Sequence, residues 1–359
     1  MYIAYIFFAI IFFGFLIGIH EFGHFFTAKL FKIKVNEFAI GMGPAIWKKQ
    51  KGETLYALRC LPIGGYCAME GEDEDSDDPR AFGNAKWWQK IIVLAAGATM
   101  NFITGLVLML LLVGIPGFNS AHSTNIISEV TPGSSLEGFW QPGDVIHEID
   151  GERIYTGGDI TSILSLNLSG QKNIHDVTLI RNGKEIFLED LDMTPRELPD
   201  AEGAIKLRYG FGMEAEERTL LTTLKYGWLE TVNATRNVRL SLQMLFRGQV
   251  GLKDMGGPVY IIKAFADVGT SSENSTLGFW SVIYLGGFIA VNLGFMNLLP
   301  IPALDGGRIV GVLLTTAIES ITRKKLNPKI EGYIHGAGMI LLLLLMAVIL
   351  FKDVFQIIF

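Results

Sequence analysis

Charge is the first thing this chain lacks. Lys, Arg, Asp and Glu make up 18% of its 359 residues, where a soluble protein carries about 25%. Cysteine is nearly absent: Cys60 and Cys67 are the two in the sequence, too few for a disulfide scaffold, and they read as ordinary reduced residues. The net charge of −6 comes with no basic stripe, so nucleic acid is not an expected partner. In their place stands apolar sequence. Half of the residues are hydrophobic and 24 are Phe, gathered into long blocks with ordinary polar sequence between them. This distribution excludes a purely soluble enzyme, a disordered tail protein and a disulfide-stapled secreted module. An integral membrane protein remains.

A spanning helix needs roughly 20 mostly apolar residues, and four stretches qualify, at 2–28, 91–115, 279–299 and 336–359. The first has no basic residue before Lys29 and no small-residue cleavage site, so it reads as a span and not a signal peptide. Lys29, Lys32, Lys34, Lys48, Lys49 and Lys51 lie between the first two spans, and Arg308, Arg323, Lys324, Lys325 and Lys329 follow the third. The excess of basic residues places both loops in the cytosol, with both termini and the segment 116–278 outside. An acidic run between Glu70 and Asp78 reads as a solvated loop, without the spacing of a calcium site.

Ionisable groups inside a hydrophobic helix are costly and mark function. The first span holds three: His20, Glu21 and His24. His20 and His24 are i and i+4, so both imidazoles leave one helical face at chelating distance. Glu21 can reach a water at the metal without ligating it, the H-E-x-x-H arrangement of zinc peptidases. A chance match, or two histidines satisfied by hydrogen bonds, is the competing explanation, and the cost of burial weighs against it.

Catalytic zinc takes three protein ligands. His122, His147, His175 and His335 lie outside the membrane or at the head of the fourth span. Asp305 follows the third span, which runs parallel to the first, so it shares the depth of His20 and His24. Pro300 and Pro302 break the helix there, and Gly306 and Gly307 permit an irregular turn of the kind tolerated where it lines a wet cavity. The alternative is that Asp305 caps the helix beginning near Gly306.

Together, His20-Glu21-Phe22-Gly23-His24 and the stretch from Asn297 to Gly307 resemble the site-2 protease family of intramembrane metalloproteases, in its bacterial regulator-of-sigma-E protease group. The resemblance covers nearly the whole chain, through Gly41-Met42-Gly43-Pro44, Leu61-Pro62-Ile63-Gly64-Gly65-Tyr66 and the stretch from Ala95 to Phe102. It implies a Zn2+ held by His20, His24 and Asp305, with Glu21 as the catalytic carboxylate. It implies substrate-handling roles for Asn297, Pro300 and Pro302, and a membrane-associated β-hairpin near 35–70 that presents substrate. Asn101 is retained from the family pattern, whereas Ala96-Gly97-Ala98 lacks the usual proline, a local change of helix entry. The implied partners are single-span membrane proteins such as trimmed anti-sigma factors, remnant signal peptides, the lipid bilayer and an upstream site-1 protease. The implied location is the bacterial cell membrane, with the active site near the cytosolic side.

From Thr124 to Met193, short β-like runs alternate with turns, and Asn182-Gly183 between two runs is a strong hairpin signal. The order resembles a single PDZ domain over 121–200. No Gly-Φ-Gly-Φ loop is found in that segment, so capture of a peptide carboxylate is not expected; a size filter and a plain spacer are the other roles. Apolar residues at helical spacing between Thr219 and Arg247 suggest an amphipathic helix on the outer membrane surface, or one packed on the PDZ-like domain. The rest of 219–275 reads as linker.

The expected fold is therefore a polytopic α-helical membrane protein with about four spans. Its membrane parts are 1–115 and 279–359, with a membrane-associated β-hairpin loop and one extracytoplasmic PDZ-like α+β domain. The expected function is an intramembrane zinc metalloendopeptidase. A metal-ion transporter would give Glu21 no distinct role, and a non-catalytic peptide-binding scaffold would not require the full set of His20, Glu21, His24 and Asp305.

Overall fold

The computed structural model describes residues 1–72, 74, 76–115, 122–166, 173–199, 203–251, 256–271, 274–323 and 328–358. In chain order the elements are α1 (Tyr2–Leu30), β1 (Val35–Lys51), β2 (Thr54–Met69), α2 (Trp87–Gly114), β3 (His122–Val130), β4 (Val145–Ile149) and β5 (Glu152–Arg153). There follow α3 (Gly157–Leu166), β6 (Ile174–Arg181), β7 (Lys184–Asp192), β8 (Arg196–Pro199), β9 (Ile205–Arg208) and β10 (Phe211–Glu216). The chain ends in α4 (Leu220–Phe246), α5 (Pro258–Thr270), α6 (Ser275–Asn297), α7 (Asp305–Thr322) and α8 (Pro328–Ile358). Contacts divide these into two compact units, Met1–Met109 with Leu252–Phe359, and Leu110–Gly251.

Among the described residues, α1, α2 and α6, with α8 over Gly332–Gln356, are long and apolar enough to cross a membrane; all but the last five residues of α2, Leu110–Gly114, belong to the first unit. Their ends differ from the sequence expectation by a few residues, and α8 starts well before Gly336 because Pro328 suits a first helical turn. The stretch read as linker contains α5, opened by Gly257 and Pro258. At 13 residues it is too short to span. Its Phe265 packs into a core with Ala9, Phe12 and Leu16 of α1 and Val282 and Ala290 of α6. Asp353 of α8, 3% exposed, accepts a hydrogen bond from the Tyr260 backbone N–H at 3.1 Å. It thereby satisfies one of the free donors at the start of α5.

The expected hairpin is a more elaborate sheet. The first part of β1 pairs twice, Ala39 with Tyr66 on one side and with Ala57 on the other, while Lys48 pairs with Ala57 as well. Each strand doubles back, so that two long strands build a four-stranded antiparallel layer. β1 turns at Gly41 and Gly43, with φ of +87° and +82°, and Gly64, at +83°, sits in a bulge of β2 between the Leu61–Met42 and Gly65–Ile40 pairs; such φ values are open to glycine at little cost. These are the glycines of the two motifs noted in the sequence.

Within the acidic run, Glu74 and Asp77 are exposed, as a solvated loop requires, while Glu70, Glu72 and Asp78 are tied to partners. Glu70 accepts hydrogen bonds from Ser76, Asn36 and Lys34, which hold its carboxyl down at about 2. Asp78 pairs with Lys34 at 3.3 Å, and Glu72 pairs with Arg308 of α7. Asp73 and Asp75 lie outside the described residues.

In the second unit, one sheet has the order β10-β3-β4-β6-β7, with β5 paired to β4. Ile160, Ile163 and Leu164 of α3 close its core against Ile127, Ile146, Ile149, Val177 and Leu179. The β6–β7 turn is Asn182-Gly183 with φ of +52° and +73°, the pair of left-handed residues a tight hairpin needs. Contrary to the sequence expectation, a Gly-Φ-Gly-Φ sequence does occur, at Gly210-Phe211-Gly212-Met213. It leads into β10, which pairs with β3 and so forms an edge of the sheet. Helix α4 packs on α3 and β5 through Arg236–Asp159 at 2.5 Å and Arg239–Glu152 at 2.6 Å. Its other face leaves Leu220, Leu221, Leu224 and Trp228 exposed.

Candidate metal centre

The centre begins with one turn of α1. His20 and His24 stand edge to face with their Nε2 atoms 3.2 Å apart. Asp305 reaches them from the first residue of α7. The chain between α6 and α7 cannot stay helical, because Pro300 and Pro302 remove donors and clash with the preceding turn. Ala303 there adopts φ +79°, a strained value for a residue with a side chain. Leu304 is the N-cap and makes no side-chain cap. Asp305 does not cap the helix either. Its Oδ2 lies 3.2 Å from His20 Nε2 and 3.5 Å from His24 Nε2.

These distances test whether zinc fits. Tetrahedral zinc with bonds of about 2.0–2.1 Å separates neighbouring ligand atoms by about 3.3 Å. The triangle here has edges of 3.2, 3.2 and 3.5 Å. Asp305 Oδ2 is buried yet meets no donor with hydrogen-bond geometry. Three lone-pair donors thus converge at coordination spacing, and the set of two imidazoles and a carboxylate suits zinc.

A stripe of α2 backs the two rings. His24 Nδ1 lies 2.8 Å from the Val93 carbonyl oxygen, and His20 Nδ1 lies 3.2 Å from the Asn101 amide. Between them, at one-turn spacing from each, is Gly97. A Cβ at Gly97 would lie 2.7 Å from His24 Cε1 and 2.8 Å from His20 Cε1, so any side chain there would push the two rings. The same reasoning applies to Gly306, where a Cβ would overlap the Leu298 and Leu299 carbonyls. The glycines after Asp305 allow close approach of a helical turn; the irregular stretch is the one before it.

Glu21 sits beside the triad and against β2, where a Cβ added at Gly65 would lie 3.2 Å from its Cγ. Burial, with Glu21 and Glu72 nearby, pushes the Cys67 thiol pKa up. The structure therefore brings together His20, Glu21, His24 and Asp305. Asn297 ends α6 with its amide nitrogen 3.5 Å from His20 Nδ1. Pro300 is exposed and Pro302 abuts Gly338 of α8; the visible effect of both is to end α6. Sequence reasoning did not single out Gly97 or the contact of Asn101 with His20. Their spacing of four residues along α2 from Val93 was the available signal, visible only once a histidine pair on another helix is known to face it.

A model of peptidase family M50 matches residues 8–345. A relative from Clostridium acetobutylicum, with a provisional zinc metalloprotease designation, is 36% identical over 356 residues, covering 96% of this chain and 96% of its own. One from Clostridium perfringens with the same designation is 35% identical over 352 residues, 98% of each chain. The regulator of sigma-W protease RasP of Bacillus subtilis is 29% identical over 427 residues, 96% of this chain and 97% of its own. Four helices able to span a membrane, a zinc-sized donor set and a family match along nearly the full length agree, and the chain belongs to peptidase family M50, the site-2 protease family of zinc-dependent intramembrane proteases.

Proposed function

We propose that His20, His24 and Asp305 hold the zinc, that Glu21 is the catalytic carboxylate, and that the substrates are membrane-spanning segments of other proteins. The observation that carries this is the ligand triangle, whose edges of 3.2, 3.2 and 3.5 Å suit zinc. A zinc ion held there supplies Lewis acidity to the scissile carbonyl and to water. Glu21 takes the proton of the attacking water on a carboxylate oxygen and passes it to the leaving amide nitrogen.

A substrate helix hides its carbonyls in its own hydrogen bonds and must be opened first. The doubled β1–β2 sheet offers strand edges to an unwound segment, and the Asn297 amide can take up freed backbone groups. Pro300 and Pro302 shape the chain that lies beside them. The basic residues of the short loops support a cytosolic location for these loops. The segment after α2 then lies outside, where the five-stranded path with α3 supports a PDZ-like domain that extends from about 121–200 to take in β10. With Gly210-Phe211-Gly212-Met213 leading into an edge strand, peptide capture joins size filtering as a role for it. Trimmed anti-sigma factors and remnant signal peptides are the substrate classes, and a site-1 protease acts upstream on the former.

The test is cleavage of a tagged single-span reporter by purified full-length protein. Untreated wild type should cut, while Glu21→Gln with zinc still bound and chelator-treated wild type should not. Cutting by the zinc-loaded Glu21→Gln variant at the wild-type rate would refute the role given to Glu21.

A further inference from the structure

A histidine offers one ring nitrogen to a metal, and the partner of its other nitrogen decides which. For His24 the choice is fixed. Its Nδ1 faces the Val93 carbonyl oxygen at 2.8 Å, a group that only accepts, so Nδ1 carries the proton. Nε2, turned toward Asp305, is left with its lone pair.

His20 has no carbonyl in that place. Its Nδ1 faces two side-chain amides, Asn101 at 3.2 Å and Asn297 at 3.5 Å, each through its nitrogen. An amide nitrogen donates, which would put the proton of His20 on Nε2 and spoil that nitrogen as a ligand. Oxygen and nitrogen of such an amide are assigned from the surrounding hydrogen bonds. Asn101 is 0% exposed, and its Oδ1 is buried with no partner. Turning this one amide over gives Oδ1 a donor and gives His20 Nδ1 an acceptor. Asn297 is only half-buried and lies farther away, so its amide stays available to substrate.

We propose that Asn101 is a positioning residue of the metal centre, its Oδ1 accepting from His20 Nδ1–H and so presenting His20 Nε2 to the metal. Val93, Gly97 and Asn101 then form one stripe of α2 at successive turns. The Val93 carbonyl orients His24, the bare Gly97 leaves room for both rings, and the Asn101 amide orients His20. The inference rests on His20 being a zinc ligand, and the experiment separates the two.

Zinc affinity of the purified full-length protein is measured by competition with a chromogenic chelator for wild type, Asn101→Asp, Asn101→Leu and His20→Ala. Loss of an outer partner of a ligating histidine weakens metal binding about 10–100-fold, the loss expected for Asn101→Leu. Asn101→Asp should bind zinc as tightly as wild type or tighter, because a carboxylate can only accept from Nδ1–H. If Asn101→Asp binds at least tenfold more weakly than wild type, or Asn101→Leu binds as wild type does, the proposal is overturned. Should Asn101→Leu fail to fold, Asn101→Asp decides alone, since a carboxylate facing an unprotonated Nδ1 would repel it. If wild type takes up no zinc, or His20→Ala binds it unchanged, the ligand assignment itself has failed, whatever the Asn101 variants do.

Discussion

Gly97→Ala adds one methyl group at the point where the two histidine rings rest on α2. Its carbon would lie 2.7 Å from His24 Cε1 and 2.8 Å from His20 Cε1, while carbon atoms rest about 3.5–4.0 Å apart. The rings must therefore give by roughly 0.7 Å or more. They have little freedom to do so, since each ring is tied through Nδ1 to the same helix, at Val93 and Asn101. Overpacking of this kind costs about 1–3 kcal/mol, and if that strain is relieved by moving a ligand it appears as a loss of about 5–150-fold in zinc affinity at 1.4 kcal/mol per decade. Cleavage of a single-span reporter should fall with it, since a displacement near 1 Å can cost about 100-fold in rate. The matched control is Gly336→Ala in α8, where an added Cβ meets nothing within 4 Å. In that helix alanine should be neutral or stabilising by up to about 1 kcal/mol. The assay is zinc stoichiometry and chelator competition beside reporter cleavage, on both variants at one protein concentration. Wild-type zinc affinity and rate in Gly97→Ala would refute the reasoning.

Further predictions concern other parts of the molecule. Glu21→Gln should lower kcat by about 100- to 10,000-fold while zinc content, read by atomic absorption, stays at the wild-type level. Asp159→Ala should destabilise the second unit by about 3–5 kcal/mol, because it leaves Arg236, 9% exposed in its side chain, without the carboxylate it pairs with; hydrogen exchange in α3 and α4 of the full-length protein should rise together. His122 stacks on Tyr226 at 4.5 Å and is 4% exposed; burial first, and Arg218 second, lower its pKa below 6.5. A base with a lowered folded pKa prefers the neutral form in the fold, so its stabilising contribution is complete above pH 6.5 and is lost as pH falls below that value. Protection of β3 and β10 against exchange, corrected for intrinsic rates, should therefore drop between pH 7 and 5, and His122→Phe should flatten that part of the profile.

Much of this was legible in the sequence because the bilayer simplifies the code. A span must be long and apolar, and three ionisable groups at His20, Glu21 and His24 stand out against it. Asp305 was legible too, through the prolines and glycines that surround it. The doubled sheet was not. A two-residue alternation describes each strand, but nothing local says that Val35–Lys51 pairs with its partner in two registers; only the corner glycines hint at it. Helix α5 was read as linker because it is short and its polar positions are few, and its stability comes from Phe265 in the core and from Asp353, a residue far along the chain. The acidic run looked solvated because Lys34 and Arg308, which pair with it, are distant in sequence. Asn101 and Gly97 were noted as parts of a motif, but their contacts with the histidine rings escaped for the same reason: what faces them comes from α1.

The most direct test of the central claim is zinc K-edge X-ray absorption on the purified full-length protein. Two imidazole nitrogens and a carboxylate oxygen should appear at about 2.0–2.2 Å, and the shell should be lost in the Asp305→Ala and His24→Ala variants. A sulfur shell at about 2.3 Å, or an unchanged zinc environment in Asp305→Ala, would contradict the assignment.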